Sequence, residues 1–166
     1  MLFGANRAAK TSTIIGAEGT WWALGNHPYR GKVEGEGWIV SLDYHLSKTI
    51  AQKKFFEWCP ESDIKHWYEK DKICEMKSGN IVEFKSADAG RKKFQSASLR
   101  WCAIDEECPQ DIFDEITARQ SANQDLDIWL GLTPLEGLTW VITELKELYD
   151  DYQLKLKRDE KVLVEA

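Results

Sequence analysis

Three short apolar runs, at 38–42, 99–104 and 127–133, constrain the fold more than any other feature of the chain. Each has the length of a strand and is too short for a stable helix, so each reads as a strand buried in a sheet. Between them, apolar residues recur at helical spacing. In 44–58 these are Leu46, Ile50, Ala51, Phe55 and Trp58, with Asp43 placed to cap the start and Pro60 just beyond the end. The segment 10–24 carries Ile14, Ile15, Ala17, Trp21 and Trp22 on one side, has Gly16 and Gly19 as weak points, and stops at Gly25. A third helix is expected from Pro109 to about Ala122, and a fourth is marked by Leu138, Val141, Leu145, Leu148, Tyr152 and Leu156. Residues 1–3 suit the end of a strand, and 72–76 and 81–84 flank a glycine turn as a hairpin. Segments 29–37 and 87–98 read as loops, and 161–165 as a strand just starting. Strands alternating with helices predict a three-layer α/β domain with a largely parallel central sheet and right-handed crossovers.

The chain has 166 residues, the size of one ordinary domain, and the whole of 1–166 is expected to fold as one. Its net charge of -6 excludes a surface that neutralises nucleic-acid phosphates everywhere, so any such contact must be local. Arg91-Lys92-Lys93 is the compact basic cluster and reads as a solvated loop in preference to a DNA contact. No run of about 18 apolar residues is present to span a bilayer, and the first residues lack the pattern of a secretory signal. An intracellular setting is expected. Cys59, Cys74, Cys102 and Cys108 show no C-x-x-C spacing and read as buried free thiols, and Trp21, Trp101, Trp129 and Trp140 read as core in preference to base-stacking platforms.

The segment Gly4-Ala5-Asn6-Arg7-Ala8-Ala9-Lys10-Thr11-Ser12 follows the first apolar residues and opens a helix. Small residues there let consecutive backbone N–H groups close round anionic oxygens, Lys10 reaches the outer phosphates of ATP, and Thr11 offers a hydroxyl to Mg²⁺. Ala9 stands where the usual phosphate-loop pattern has a second glycine. Arg7 either turns its guanidinium to the β- and γ-phosphates or lies on the surface. An apolar strand ending in an aspartate should hold the magnesium, and 99–104 followed by Asp105 meets that need. Glu106 is then the candidate to orient and polarise the attacking water; taken alone, Asp105-Glu106-Glu107 would read as an acidic helix start. Thr133, before Pro134, projects from the same sheet edge, where its hydroxyl senses the γ-phosphate or water, or else caps the following helix. These features together resemble a P-loop NTPase of the additional-strand, catalytic-glutamate type.

Taken in order, FGANRAAKTS, LRWCAIDEE and LGLTPLEGLTW resemble the ATPase domain of the large terminase subunit, the DNA-packaging motor of tailed bacteriophages and related viruses. The resemblance implies a DNA translocase that threads double-stranded DNA into a procapsid. It implies a homo-oligomeric ring, a portal protein and a small terminase subunit as partners, no membrane, and work in the cytoplasm of the infected bacterium. Lys10, Thr11 and Arg7 become phosphate and Mg²⁺ contacts, Asp105 a magnesium ligand, Glu106 the catalytic carboxylate, and Thr133 part of the motif coupling hydrolysis to movement. The family's upstream adenine-binding segment and downstream nuclease domain have no counterpart in these residues, so a piece of a longer protein is expected. Two rival readings are a P-loop phosphotransferase and a nucleotide-responsive assembly module that does not hydrolyse; Arg91 and Arg119 are candidates for an arginine supplied across a subunit interface.

Overall fold

The computed structural model describes residues 2–3, 9–95, 97–119, 126–133, 139–144, 147 and 150. The chain divides into two compact units, Met1–Thr133 and Pro134–Ala166. In the second, residues 140–144 are helical, as the leucine spacing predicts, with Thr143 donating both its N–H and its hydroxyl to the Thr139 carbonyl. Residues 147 and 150 are helical too, and the other positions of that expected helix and the strand expected at 161–165 lie outside the described residues.

The first unit begins with β1 (Leu2–Phe3). A helical stretch follows, winding with wide π-type turns over Ser12–Gly19 and passing into α1 (Thr20–Leu24). Gly16 and Gly19 lower helix propensity here, but Gly16 also serves packing. A Cβ on it would lie 2.9 Å from the Trp58 ring, so only glycine lets the two helical segments approach this closely. The chain then makes a small hairpin of β2 (Asn26–His27) and β3 (Gly31–Lys32), where the composition suggests only a loop. Next come β4 (Glu36–Ser41), α2 (Tyr44–Leu46), whose Asp43 cap accepts the Leu46 N–H at 2.8 Å, and α3 (Lys53–Trp58). After them come β5 (Ile64–Tyr68), β6 (Ile73–Met76), β7 (Ile81–Ser86) and β8 (Leu99–Asp105). The unit closes with α4 (Gln110–Thr117) and β9 (Asp127–Leu132). α4 is shorter than the apolar pattern suggests, and residues 120–125 are outside the described set.

Seven strands form one sheet in the order β1-β9-β8-β4-β7-β6-β5. The pairs from β1 to β7 are parallel, and β6 and β5 continue antiparallel as a meander. The expectation of a largely parallel α/β sheet therefore holds, with an antiparallel margin. Strand alternation sends Ile39, Val82, Phe84, Trp101 and Ala103 to one face, where they pack with Ile14, Ile15, Trp22, Ala51 and Phe55. The residues between them face the other way: Trp38 meets Phe94 edge-on at 5.6 Å, in the turn Arg91–Phe94 that abuts α4. The result is helix, sheet, helix. Trp22 and Trp101 each meet Trp129 at a tilted angle in the first of these layers, as part of the core packing. Gly37 is obligatory at its place, since a Cβ there would fall 1.8 Å from Cε2 of Trp101 on the adjacent strand.

All four cysteines are buried free thiols. Burial pushes the Cys59 and Cys108 thiols up to about 12, which makes them inert packing groups at neutral pH. Among the described residues no helix is long and apolar enough to cross a membrane.

Candidate functional site

In an open parallel sheet, side chains that act together gather where strands end at their carboxyl edge. Three neighbouring strands end side by side here: β8 with Asp105, β9 just before Thr133, and β1, which leads towards Lys10. Because β9 lies between β1 and β8, Thr133 falls between the helix start and the acidic pair.

The side chains connect accordingly. Lys10, only 6% exposed, donates from Nζ to Thr133 Oγ1 at 2.7 Å. Thr11 Oγ1 donates to Asp105 Oδ1 at 2.8 Å. Both oxygens of Glu106 accept from Thr133, Oε2 from the backbone N–H at 2.9 Å and Oε1 from the hydroxyl at 3.2 Å. The Glu106 N–H in turn donates to the Gly131 carbonyl at 2.8 Å, fixing the acidic corner to the neighbouring strand. A lysine, a carboxylate and a threonine thus form one chain of hydrogen bonds beside a hydroxyl–carboxylate pair.

Two non-glycine residues at this site hold left-handed backbone. Ala9 has φ of 58° and Glu106 has φ of 70°. An L-residue in that region is disfavoured by about 1–2 kcal/mol, and such strain gathers where geometry matters for function. At Ala9 the turn directs the carbonyl into the helix start, where it accepts from the Thr13 N–H at 2.9 Å and the Thr13 hydroxyl at 3.1 Å. A left-handed turn favours glycine, and Ala9, the smallest chiral residue, is the mildest departure from it.

Burial raises the Asp105 carboxyl above its ordinary value; the Thr11 hydrogen bond opposes this, Glu106 reinforces it and Lys10 opposes it. A carboxylate that is costly to ionise when bare gains most from a cation. Thr11 and Asp105 supply hard oxygen donors of the kind magnesium takes, few in number, with the remaining positions left to water and phosphate. Among the described residues no group of three His, Cys, Asp or Glu is placed to hold a metal unaided. The hydroxyl of Ser41, beside Asp105 in the sheet register, is buried and has no hydrogen-bond partner.

Lys10, Thr11, Asp105, Glu106 and Thr133, all expected from the sequence, therefore come together, and Ser12 begins the π-type stretch next to them. Gly4, Ala5, Asn6, Arg7 and Ala8 lie outside the described residues. Arg91 and Arg119 both bind Glu115 of α4, at 2.8 and 2.9 Å. Two contributors escape the sequence reading. Gly131 leaves space against Lys10, since a Cβ there would lie 3.4 Å from Lys10 Cβ and 3.0 Å from Ile14 Cδ1. Ser41 neighbours Asp105 only through strand order. No local pattern marks either residue; a small residue two before Thr133 is the one available hint for Gly131.

No protein-family model matches the chain, and no curated protein matches it. Among solved structures, the large terminase from a thermophilic bacteriophage superposes with a TM-score of 0.68 at 16% sequence identity, over 90% of this chain and 37% of that one. The chain thus spans little more than a third of the length of that terminase. The resemblance first read from three motifs has its counterpart in three dimensions: this chain is similar in fold to a bacteriophage large terminase.

Proposed function

We propose that this chain is the ATP-hydrolysing core of a DNA-packaging motor of the terminase kind. The observation that carries the reading is the convergence of Lys10, Thr11, Asp105, Glu106 and Thr133 on one sheet edge through four hydrogen bonds. A lysine on a phosphate, a hydroxyl and an aspartate on a divalent cation, and a glutamate on the attacking water form the set that phosphoryl transfer to water requires. The placing of β9 between β1 and β8 supports the additional-strand arrangement.

In this reading Lys10 exchanges Thr133 for the β- and γ-phosphate oxygens of ATP. Thr11 and Asp105 hold Mg²⁺, which when bound neutralises charge developing on the transferred phosphoryl group. Gly4 to Ala9 would supply backbone N–H groups to the phosphates, and Arg7 would add a guanidinium. Glu106 orients and polarises the water and takes its proton. Thr133 stays bonded to Glu106 and regains Lys10 when the phosphates leave, so a change at the γ-phosphate reaches the end of β9. Double-stranded DNA is the cargo, moved into a procapsid through a portal protein by a homo-oligomeric ring with a small terminase subunit, in the cytoplasm of an infected bacterium.

The test is DNA-stimulated ATPase activity of the chain, with and without flanking sequence, against Glu106→Gln. Hydrolysis should fall by about 10²–10⁴-fold in the variant while ATP binding persists. Unchanged hydrolysis removes Glu106 from its role. No DNA-stimulated hydrolysis in either form removes the motor reading.

A further inference from the structure

Ser41 is the last residue of β4, and its side chain is 3% exposed. Its Oγ is buried and bonded to no polar atom. Buried hydroxyls almost always have a partner, and one without it calls for an explanation such as an ion or water bound in the working state. The sheet register says where this hydroxyl lies. Ser41 stands opposite Asp105 on β8, just as Ile39 stands opposite Ala103. Ile39 and Ala103 belong to the core beneath the helical stretch that starts after Thr11, and alternation puts Ser41 and Asp105 on that same face. The orphan hydroxyl thus lies on the side of the sheet from which Thr11 reaches Asp105.

We propose that Ser41 is a positioning residue for the divalent cation, its hydroxyl holding a water of the cation held by Thr11 and Asp105. The proposal rests on the reading of this edge as an Mg²⁺–ATP site. Magnesium parts with water reluctantly and keeps several molecules when bound through one or two side chains. Those waters are strongly polarised donors and need acceptors at fixed places. A serine hydroxyl accepts from one and still has its own proton to give to a carboxylate oxygen. Outer partners of this sort commonly change metal affinity by 10–100-fold when removed. A hydroxyl kept only for packing would have been better served by alanine, since leaving it buried and unbonded is unfavourable.

The experiment is a Mn²⁺ titration of the full chain by electron paramagnetic resonance with a non-hydrolysable ATP analogue, comparing Ser41→Ala, Asp105→Asn and the unaltered protein. Ser41→Ala should weaken Mn²⁺ binding by about 10–100-fold, leave analogue affinity in EDTA unchanged, and leave metal-free thermal unfolding unchanged or raised. Asp105→Asn should weaken Mn²⁺ binding too. If Asp105→Asn weakens it and Ser41→Ala does not, the role of Ser41 is overturned and the ATPase reading stands. A Ser41→Ala protein that binds Mn²⁺ weakly but also unfolds earlier without metal assigns Ser41 to the scaffold and overturns the proposal. If neither variant changes Mn²⁺ binding, the metal assignment of the edge fails and the inference falls with it.

Discussion

Replacing Ala9 by glycine should make the protein more stable, against the usual direction of an alanine-to-glycine change. Ala9 sits at φ of 58° directly before the helical stretch, and its carbonyl anchors Thr13. Holding an L-residue there costs about 1–2 kcal/mol, which glycine removes. Against this, glycine adds chain freedom to the unfolded state, a penalty of about 0.5–1 kcal/mol. The difference is a net gain of about 0.5–1 kcal/mol, and at this chain length 1 kcal/mol corresponds to about 2–4 °C. Ala9→Val moves the other way, because a β-branched residue fits left-handed backbone worst, so the two variants should bracket the unaltered protein. Urea unfolding followed by tryptophan fluorescence measures both. If Ala9→Gly is less stable than the parent, or if Ala9→Val matches it, then residue 9 is not left-handed in solution and the account of the departure from glycine fails.

Asn80 is a buried knot between loops: its amide donates to the Trp22 and Val33 carbonyls at 2.8 and 3.1 Å and its oxygen accepts the Gly35 N–H at 3.0 Å. Asn80→Ala leaves these backbone groups without that partner and should cost about 3 kcal/mol, read as a lower urea midpoint with unchanged slope. Glu115 is held below the usual carboxylate range, first by its hydrogen bond from Arg91 and also by the charge of Arg119, against the effect of burial. A depressed carboxyl stabilises the fold above its unfolded-state value, and this stability is lost as pH falls through the folded one. Arg91→Met should flatten the acid limb of a stability-versus-pH curve, and an unaltered limb would show that the pair contributes nothing.

The elements most legible in the sequence are those whose signal is local. β4, β8 and β9 are continuous apolar runs, and β6 and β7 flank a glycine turn. Lys10, Thr11, Asp105, Glu106 and Thr133 were readable because each stands at the end of an apolar strand or the start of a helix, and the structure joins them by hydrogen bonds. β5 was not, because Ile64–Tyr68 is a margin strand with three of its five residues in solvent and a register shift between Ile64 and His66. The β2–β3 hairpin escaped because two-residue strands carry no periodicity. Gly16 reads as a helix weakness and becomes intelligible only when Trp58 is seen against it. Ser41 and Gly131 depend on which strand lies beside which, and strand order is a property of the assembled sheet.

That order also governs when the sheet edge can form as the chain emerges from a ribosome. Among the described residues β1 pairs with β9, Leu2 with Gly131 and Phe3 with Leu132, so a strand made early joins the sheet through one made late. β4 to β8 can assemble while synthesis continues, but β1 must wait for its partner β9. The bond between Lys10 and Thr133 then closes at the same step that seats β1. A nascent chain therefore lacks the partner of Lys10 until β9 has been made, and the hydrogen-bonded set is completed last at the edge where the sheet is completed.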